Sequence, residues 1–280
     1  MQITISQHAG FCFGVDRAVK MCAEIDPDTP RPLQMFGNLV HNETVVENLK
    51  KQGIEIIKSL DEAKEGTVII TAHGIYPEVY QEVEKKGLHI IDTTCPKVIL
   101  VHQLAKKLQA EGREIIIIGD ENHIEVKGIN GAVGWQAKVI TSVDEVAELD
   151  FPADTKIGVV SQTTQDLEVF AEIEKALQEK FTDVKVFNTI CESTRGHQEE
   201  AKKLAQNNDV ILVIGSKSSG NTTRLYEICH ELNKKTYWID TAADLEDDWF
   251  AEVKSVGITA GASTPRELVE EVAEKLKEFC

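Results

Sequence analysis

Three cysteines of this 280-residue chain stand where an α/β protein most readily builds chemistry. Cys12, Cys95 and Cys191 each follow a β-rich run, in ITISQHAGFC, HIIDTTC and VKVFNTIC, and each precedes a polar or aromatic loop. Loops at the carboxyl ends of parallel strands line the usual ligand crevice of such sheets. Three thiolates gathered there can hold a zinc ion with one open position, or an iron–sulfur cluster in which one iron lacks a protein ligand. Either centre can act as a Lewis acid on a substrate oxygen, and a cluster also passes electrons. The cysteines alone leave both open. Cys22 and Cys229 lie in helix-like segments, and they and Cys280 read as small hydrophobes. None of the six cysteines forms a C-x-x-C pair, which disfavours a zinc finger, and a disulfide framework suits smaller secreted chains.

A second layer of residues surrounds these positions. His41, His73 and His123 each follow an apolar strand end, in what read as equivalent loops. The loop Ser216-Lys217-Ser218-Ser219-Gly220-Asn221 opens a helix, and so does Ala262-Ser263-Thr264-Pro265. Hydroxyls, amides and backbone N–H groups at helix starts bind anions. Helix capping alone explains each such Ser or Asn individually, and a cap does not preclude an anion site. The pattern points to a small anionic, phosphorylated substrate, although no Walker loop is present. Glu125, two residues after His123, is the carboxylate among these loops and a candidate general acid.

The elements that must position these residues recur along the chain. One unit reads MFGNLVHN, IEIIKSLDEA, VIITAHG, HIIDTTC; a second reads IIIIGDENH, AKVITSVDEV, IGVVSQTT, VKVFNTIC. A third reads ILVIGSKSSGN, TYWIDTAADL, VGITAGAST and lacks the closing strand into a cysteine. The N-terminal run ITISQHAGFC supplies it. Cys12 to Cys95 spans 83 residues and His41 to His123 spans 82; Cys95 to Cys191 and His123 to Ser219 each span 96. Alternating strand and helix periodicity argues for parallel α/β units. Strands are expected at 68–71, 114–119, 156–161, 210–215 and 255–259, and helices at 77–86, 167–180, 222–233 and 265–279. The expected fold is three similar parallel-sheet lobes in a pseudo-threefold ring around a central site. Residues 1–13 complete the third lobe, 14–95 form lobe 1, 96–190 lobe 2 and 191–280 lobe 3.

Charge narrows the partners. With 30 basic and 47 acidic residues the net charge is −17, which repels phosphate backbones and anionic lipid. Apolar runs such as 115–118 and 210–214 are far shorter than a bilayer span. The opening MQITISQHAGFCFG has neither signal-peptide nor transit character, so a cytoplasmic location is expected, with no nucleic-acid or membrane partner.

Nine short stretches in order carry a resemblance. They are Gly10-Phe11-Cys12-Phe13-Gly14-Val15, Leu39-Val40-His41-Asn42, Thr71-Ala72-His73-Gly74, Asp92-Thr93-Thr94-Cys95-Pro96, His123-Ile124-Glu125-Val126, Ser161-Gln162-Thr163-Thr164, Asn188-Thr189-Ile190-Cys191, the Ser219-Gly220-Asn221 loop and Ala260-Gly261-Ala262-Ser263. Over nearly its whole length the chain resembles the LytB/IspH family of 4-hydroxy-3-methylbut-2-enyl diphosphate reductases, of the non-mevalonate isoprenoid pathway. The resemblance implies a [4Fe–4S] cluster on Cys12, Cys95 and Cys191 with one open iron. It implies that the substrate's hydroxyl oxygen binds that iron, while His41, His73, His123, Ser219, Asn221 and Ser263 hold the diphosphate. It also implies that Glu125 supplies protons, helped by Thr163, and that the hydroxyl leaves as water, giving isopentenyl and dimethylallyl diphosphate. A ferredoxin, flavodoxin or equivalent donor would provide the electrons. One departure is visible: many members carry Ser-Ser-Asn where this chain has Ser219-Gly220-Asn221. A quinolinate synthase-like dehydratase, an iron–sulfur redox sensor or carrier, and a three-cysteine zinc hydrolase are the rival readings.

Overall fold

The computed structural model describes residues 1–40 and 42–279; His41 and Cys280 lie outside them. Twelve strands among the described residues are β1 (Gln2–Ile5), β2 (Leu33–Phe36), β3 (Ile54–Ile57), β4 (Thr67–Ile70), β5 (His89–Asp92), β6 (Glu114–Ile118), β7 (Lys138–Ile140), β8 (Lys156–Ser161), β9 (Asp183–Val186), β10 (Val210–Ile214), β11 (Thr236–Ile239) and β12 (Ser255–Ala260). The α-helices are α1 (Phe13–Ala23), α2 (Glu43–Lys51), α3 (Pro77–Lys85), α4 (Pro96–Ala110), α5 (Ile124–Ala132), α6 (Val143–Glu148), α7 (Leu167–Lys180), α8 (Glu192–Asn207), α9 (Gly220–Leu232) and α10 (Arg266–Leu276). The expected elements are all present, those at 156–161 and 167–180 with the same bounds and the others with ends shifted by up to three residues. The widest shift is in α10, which stops at Leu276 and gives way to a 3-10 turn at Lys277–Phe279.

The strands form three four-stranded, all-parallel sheets with one connectivity. Read from equivalent edges, the orders are β3-β2-β4-β5, β7-β6-β8-β9 and β11-β10-β12-β1. β1 pairs with β12 in parallel, Gln2 opposite Ser255 and Ile5 opposite Ile258, as β5 pairs with β4 and β9 with β8. The first strand of the chain therefore occupies the place that the repeat leaves open in its last unit.

The chain packs as two compact units. One comprises Met1–Asp16, Val40–Asn48 and the chain from Glu192 onward, and contains the β11-β10-β12-β1 sheet. The other comprises Arg17–Leu39 and Leu49–Cys191, and contains the other two sheets.

The unbroken apolar runs follow from burial on both faces. Successive strand side chains point to opposite sides, and parallel sheets carry helices on both. Ile116 and Ile118 pack with Phe170, Ile173 and Leu177 on one face, whereas Ile115 and Ile117 pack with Val101, Ala105, Leu108 and Ile129 on the other. Val210, Leu212 and Ile214 divide from Ile211 and Val213 in the same way. Phe170 on α7 is among the largest fully buried side chains. Phe170→Ala should cost about 3–5 kcal/mol, because the lost transfer energy is joined by a cavity that packed neighbours fill only in part. Urea unfolding measures this; a loss below about 1 kcal/mol would mean that the sheet and α7 are not packed as described.

Candidate active site at the cysteine loops

The three cysteines share one backbone contact. The N–H of Cys95 donates to the carbonyl of Ala72 at 2.9 Å, that of Cys191 to Thr163 at 3.0 Å, and that of Cys12 to Ala262 at 3.0 Å. Each acceptor lies two residues beyond the end of a central strand, β4, β8 or β12. A strand, its turn and the neighbouring cysteine are thus fixed together three times over.

Each cysteine is followed at once by a helix and not by the expected loop. α1 begins at Phe13, α4 at Pro96 and α8 at Glu192. Cys95 is the N-cap of α4, where Pro96 at the first helical position has no N–H to leave unsatisfied. Its thiol receives the N–H groups of Lys97 and Val98, which favour the thiolate. Burial is the larger influence and raises its pKa, with Cys191 and Glu125 pushing the same way. Cys191 and Glu125 therefore each lie within electrostatic reach of Cys95. By contrast Cys22 in α1 and Cys229 in α9 are buried thiols whose pKa rises to about 12, consistent with packing alone.

Supports behind Cys95 and Cys191 were not legible as site residues. Arg17 donates to the carbonyls of Thr93 and Thr94 at 3.3 and 3.1 Å, bracing the approach to Cys95. Thr93 Oγ1 donates to the Ile70 carbonyl at 2.6 Å, and Thr189 Oγ1 to the Ser161 carbonyl at 2.7 Å. The corresponding residue before Cys12 is Gly10, whose φ of +117° is one that side-chain-bearing residues rarely adopt. The third approach is a glycine turn where the others have a threonine tie.

Glu125 lies in the first turn of α5 and is 2% exposed, so it is not a solvated loop acid. Its two oxygens accept the Thr163 N–H at 2.6 Å and the Thr163 hydroxyl at 2.8 Å. Burial raises its pKa from 4.5 to about 7, against the lowering effect of both Thr163 bonds. Thr163 thereby holds the carboxyl with its N–H and Oγ while its carbonyl holds Cys191. His123 caps α5, its Nδ1 accepting the Glu125 N–H at 3.2 Å. With Nδ1 as acceptor, the proton of the neutral ring lies on Nε2, a donor suited to an anion. His73 meets it edge to face, with ring centroids 5.5 Å apart.

His73 and His123 do not occupy equivalent loops, contrary to the expectation from the sequence. His73 follows β4 and corresponds to Thr164 and Ser263, each one residue past the acceptor of a cysteine N–H; His123 follows β6 and corresponds to Ser219 after β10. Similar spacing from strand ends masked two different ranks. His41 lies outside the described residues.

In the unit containing the C-terminal sheet, Ser219 caps α9, its Oγ accepting the Thr222 N–H at 3.3 Å. Asn221, 6% exposed in the first turn, has a buried Nδ2 without a partner. A buried amide donor left unmatched costs about 1–3 kcal/mol unless a ligand accepts from it. Gly220 has open space where a side chain would stand, so the fold does not demand glycine there. Ser263 is buried in the turn after β12. This helix start, with its positive dipole end and unmatched donor, fits a phosphate better than it fits a solvated surface.

Comparisons with known proteins agree along the entire chain. The LytB protein family model matches residues 3–277. The chain belongs to the LytB family. A 4-hydroxy-3-methylbut-2-enyl diphosphate reductase from Aquifex aeolicus is 43% identical over all of this chain and 97% of that protein. One from Geobacter sulfurreducens is 39% identical over all of this chain and 98% of its own. A solved structure of (E)-4-hydroxy-3-methyl-but-2-enyl diphosphate reductase, the terminal enzyme of the non-mevalonate pathway, is 42% identical with TM-score 0.74, covering 99% of this chain and 100% of that one. The E-1-hydroxy-2-methyl-but-2-enyl-4-diphosphate reductase of Plasmodium falciparum gives TM-score 0.93 at 30% identity, over 99% of this chain and 88% of its own.

The state of Glu125 in this LytB chain can be read from stability. Its folded pKa of about 7 exceeds the ordinary 4.5, so the native state holds the proton more tightly than the unfolded state. The resulting stabilisation is complete below about pH 4.5 and is lost as pH rises through about 7. Glu125→Gln carries no such dependence. Between about pH 5 and pH 8.5 the parent should lose on the order of 3 kcal/mol relative to that variant in urea unfolding of the metal-free protein. Parallel stability curves would show that Glu125 ionises freely.

Proposed function

We infer that this protein is the reductase that converts 4-hydroxy-3-methylbut-2-enyl diphosphate into isopentenyl diphosphate and dimethylallyl diphosphate. The observation that carries the reading is the buried Glu125–Thr163 pair, tied by Thr163 to Cys191 and lying within electrostatic reach of Cys95. It is what a proton-coupled reduction beside a thiolate-held centre requires. Names of relatives matching the chain over its full length support the same reaction.

Cys12, Cys95 and Cys191 are the proposed ligands of one [4Fe–4S] cluster, one iron being left without a protein ligand. Their common N–H contact and their positions at helix starts, where Cys95 receives two N–H groups, fit thiolate ligands. When bound, the cluster would pass the carrier's two electrons, one at a time, and present a Lewis-acidic iron to the substrate's hydroxyl.

The remaining chemistry belongs to the chain. His41, His73, His123, Ser219, Asn221 and Ser263 are the proposed diphosphate donors. Imidazoles, hydroxyls, an amide and the start of α9 hold the anion despite a net charge of −17. Glu125 delivers a proton to the departing hydroxyl, and Thr163 orients the carboxyl through its N–H and Oγ. Breaking the carbon–oxygen bond releases water, and two electrons with two protons balance the conversion of the allylic alcohol to the alkene. The new carbon–hydrogen bond forms at either end of the allyl unit, which gives two products. A carboxyl with a pKa of about 7 is substantially protonated at neutral pH and still transfers its proton readily.

The lobe boundaries at 13, 95 and 190 belong to the same proposal, as do a cytoplasmic location and an electron carrier of the ferredoxin or flavodoxin kind. No helix among the described residues is long and apolar enough to cross a membrane.

Glu125→Gln should retain iron, sulfide and diphosphate binding while turnover falls by about 10²–10⁴-fold. Turnover near that of the parent would remove Glu125 from the proton path. Cys95→Ser should lose most iron and acid-labile sulfide after anaerobic reconstitution; unchanged iron and sulfide would break the ligand assignment.

A further inference from the structure

Helix α4 departs from the pattern of a surface helix in two ways. Its inner face is complete: Val98, Val101, Ala105 and Leu108 are buried. Ile99 and Leu100 nevertheless lie on the opposite side, 40% and 46% exposed. An amphipathic helix keeps such side chains on one stripe. The second departure is charge. In a chain of net charge −17, α4 carries Lys97, Lys106 and Lys107 and no carboxylate. Every other described helix of comparable length, α1, α7, α8, α9 and α10, contains at least one Asp or Glu.

The lysines are not neutralised nearby. Among the described residues Lys97, Lys106 and Lys107 make no ion pair. Glu111, just past the end of α4, is engaged by Lys185 at 2.8 Å and Arg113 at 3.3 Å. Lys107 lies 5.8 Å from the ring centre of Phe187, which extends the partly apolar strip beyond the helix. At about 1.5 Å per residue, the face of α4 is about 22 Å long. That suits a small transient interface.

The helix begins at Cys95, and the Ile99 N–H donates to the Cys95 carbonyl at 3.1 Å. Ile99 and Leu100 are thus about 6–8 Å along the axis from a proposed cluster ligand. We propose that the exposed face of α4, formed by Lys97, Ile99, Leu100, Lys106 and Lys107, is the docking surface for a small acidic iron–sulfur electron carrier of the ferredoxin type. The lysines steer the carrier against the field of the rest of the protein, and Ile99 and Leu100 form the dry contact nearest Cys95. This deepens the reductase reading and rests on it.

The test uses the cluster-loaded full chain with the allylic diphosphate and two reductants, reduced ferredoxin and reduced methyl viologen, a small cation. Lys106→Glu/Lys107→Glu and, separately, Leu100→Gln should raise the KM for ferredoxin by about tenfold or more. The viologen-driven rate should stay within about twofold of the parent. The ferredoxin rate of the parent should also fall with added salt more steeply than that of the double variant. Lys234→Glu/Lys235→Glu, in the turn between α9 and β11, makes the same charge change elsewhere and should leave the ferredoxin KM nearly unchanged. An unaltered ferredoxin KM in the α4 variants, or an equal rise in the control, overturns the docking surface. Equal loss with both reductants also overturns it, because the helix would then be serving the site and not the carrier. A parent protein that oxidises neither reductant would remove the reductase reading, and the surface with it.

Discussion

The functional architecture depends on one backbone hydrogen bond made three times. A cysteine N–H donates to the carbonyl two residues past a central parallel strand, at Ala72, Thr163 and Ala262. Such a bond contributes only about 1 kcal/mol net to stability. Its importance is geometric: it sets the distance from sheet to thiol, and the helix that starts at the next residue fixes the direction. The interiors behind it are interchangeable in kind, sheets of Ile and Val with helices on both faces. Function enters where the three copies differ.

The differences fall on the acceptor residues and their neighbours. Two acceptors are alanines, and the third is Thr163, whose hydroxyl and N–H also hold Glu125. A buried carboxyl with two donors would normally titrate low; here burial outweighs them and the group reaches neutrality. The proton site is therefore a specialised copy of a structural contact. The start of α9 is specialised differently, with a capping Ser219 and a buried, unmatched Asn221 donor in place of a carboxyl.

Much of this was legible in the residues, for a physical reason. Parallel strands buried on both faces must be continuous apolar runs, so their order and repetition survive in the sequence. The missing strand of the last unit could be assigned to the N-terminus because each unit ends in a cysteine. Less legible was whatever depends on the third dimension. The sequence suggested loops after the cysteines, but Pro96 after Cys95 is a helix-start signal, and helices follow all three. The histidines seemed equivalent because each follows a strand end, whereas His73 and His123 follow strands of different rank. Arg17 gave no local sign of its role, since its partners are backbone carbonyls 76 and 77 residues away. No helix is expected at α4 from the sequence, so the exposure of Ile99 and Leu100 came only from the structure.

The most direct test of the account is anaerobic oxidation of reduced methyl viologen by the cluster-loaded protein on addition of 4-hydroxy-3-methylbut-2-enyl diphosphate. Rapid oxidation, with two electrons consumed per substrate and both five-carbon diphosphates formed, is the predicted result. No oxidation by protein whose iron and sulfide are at full loading would contradict it, leaving three well-placed cysteines and a buried carboxyl that serve a different reaction.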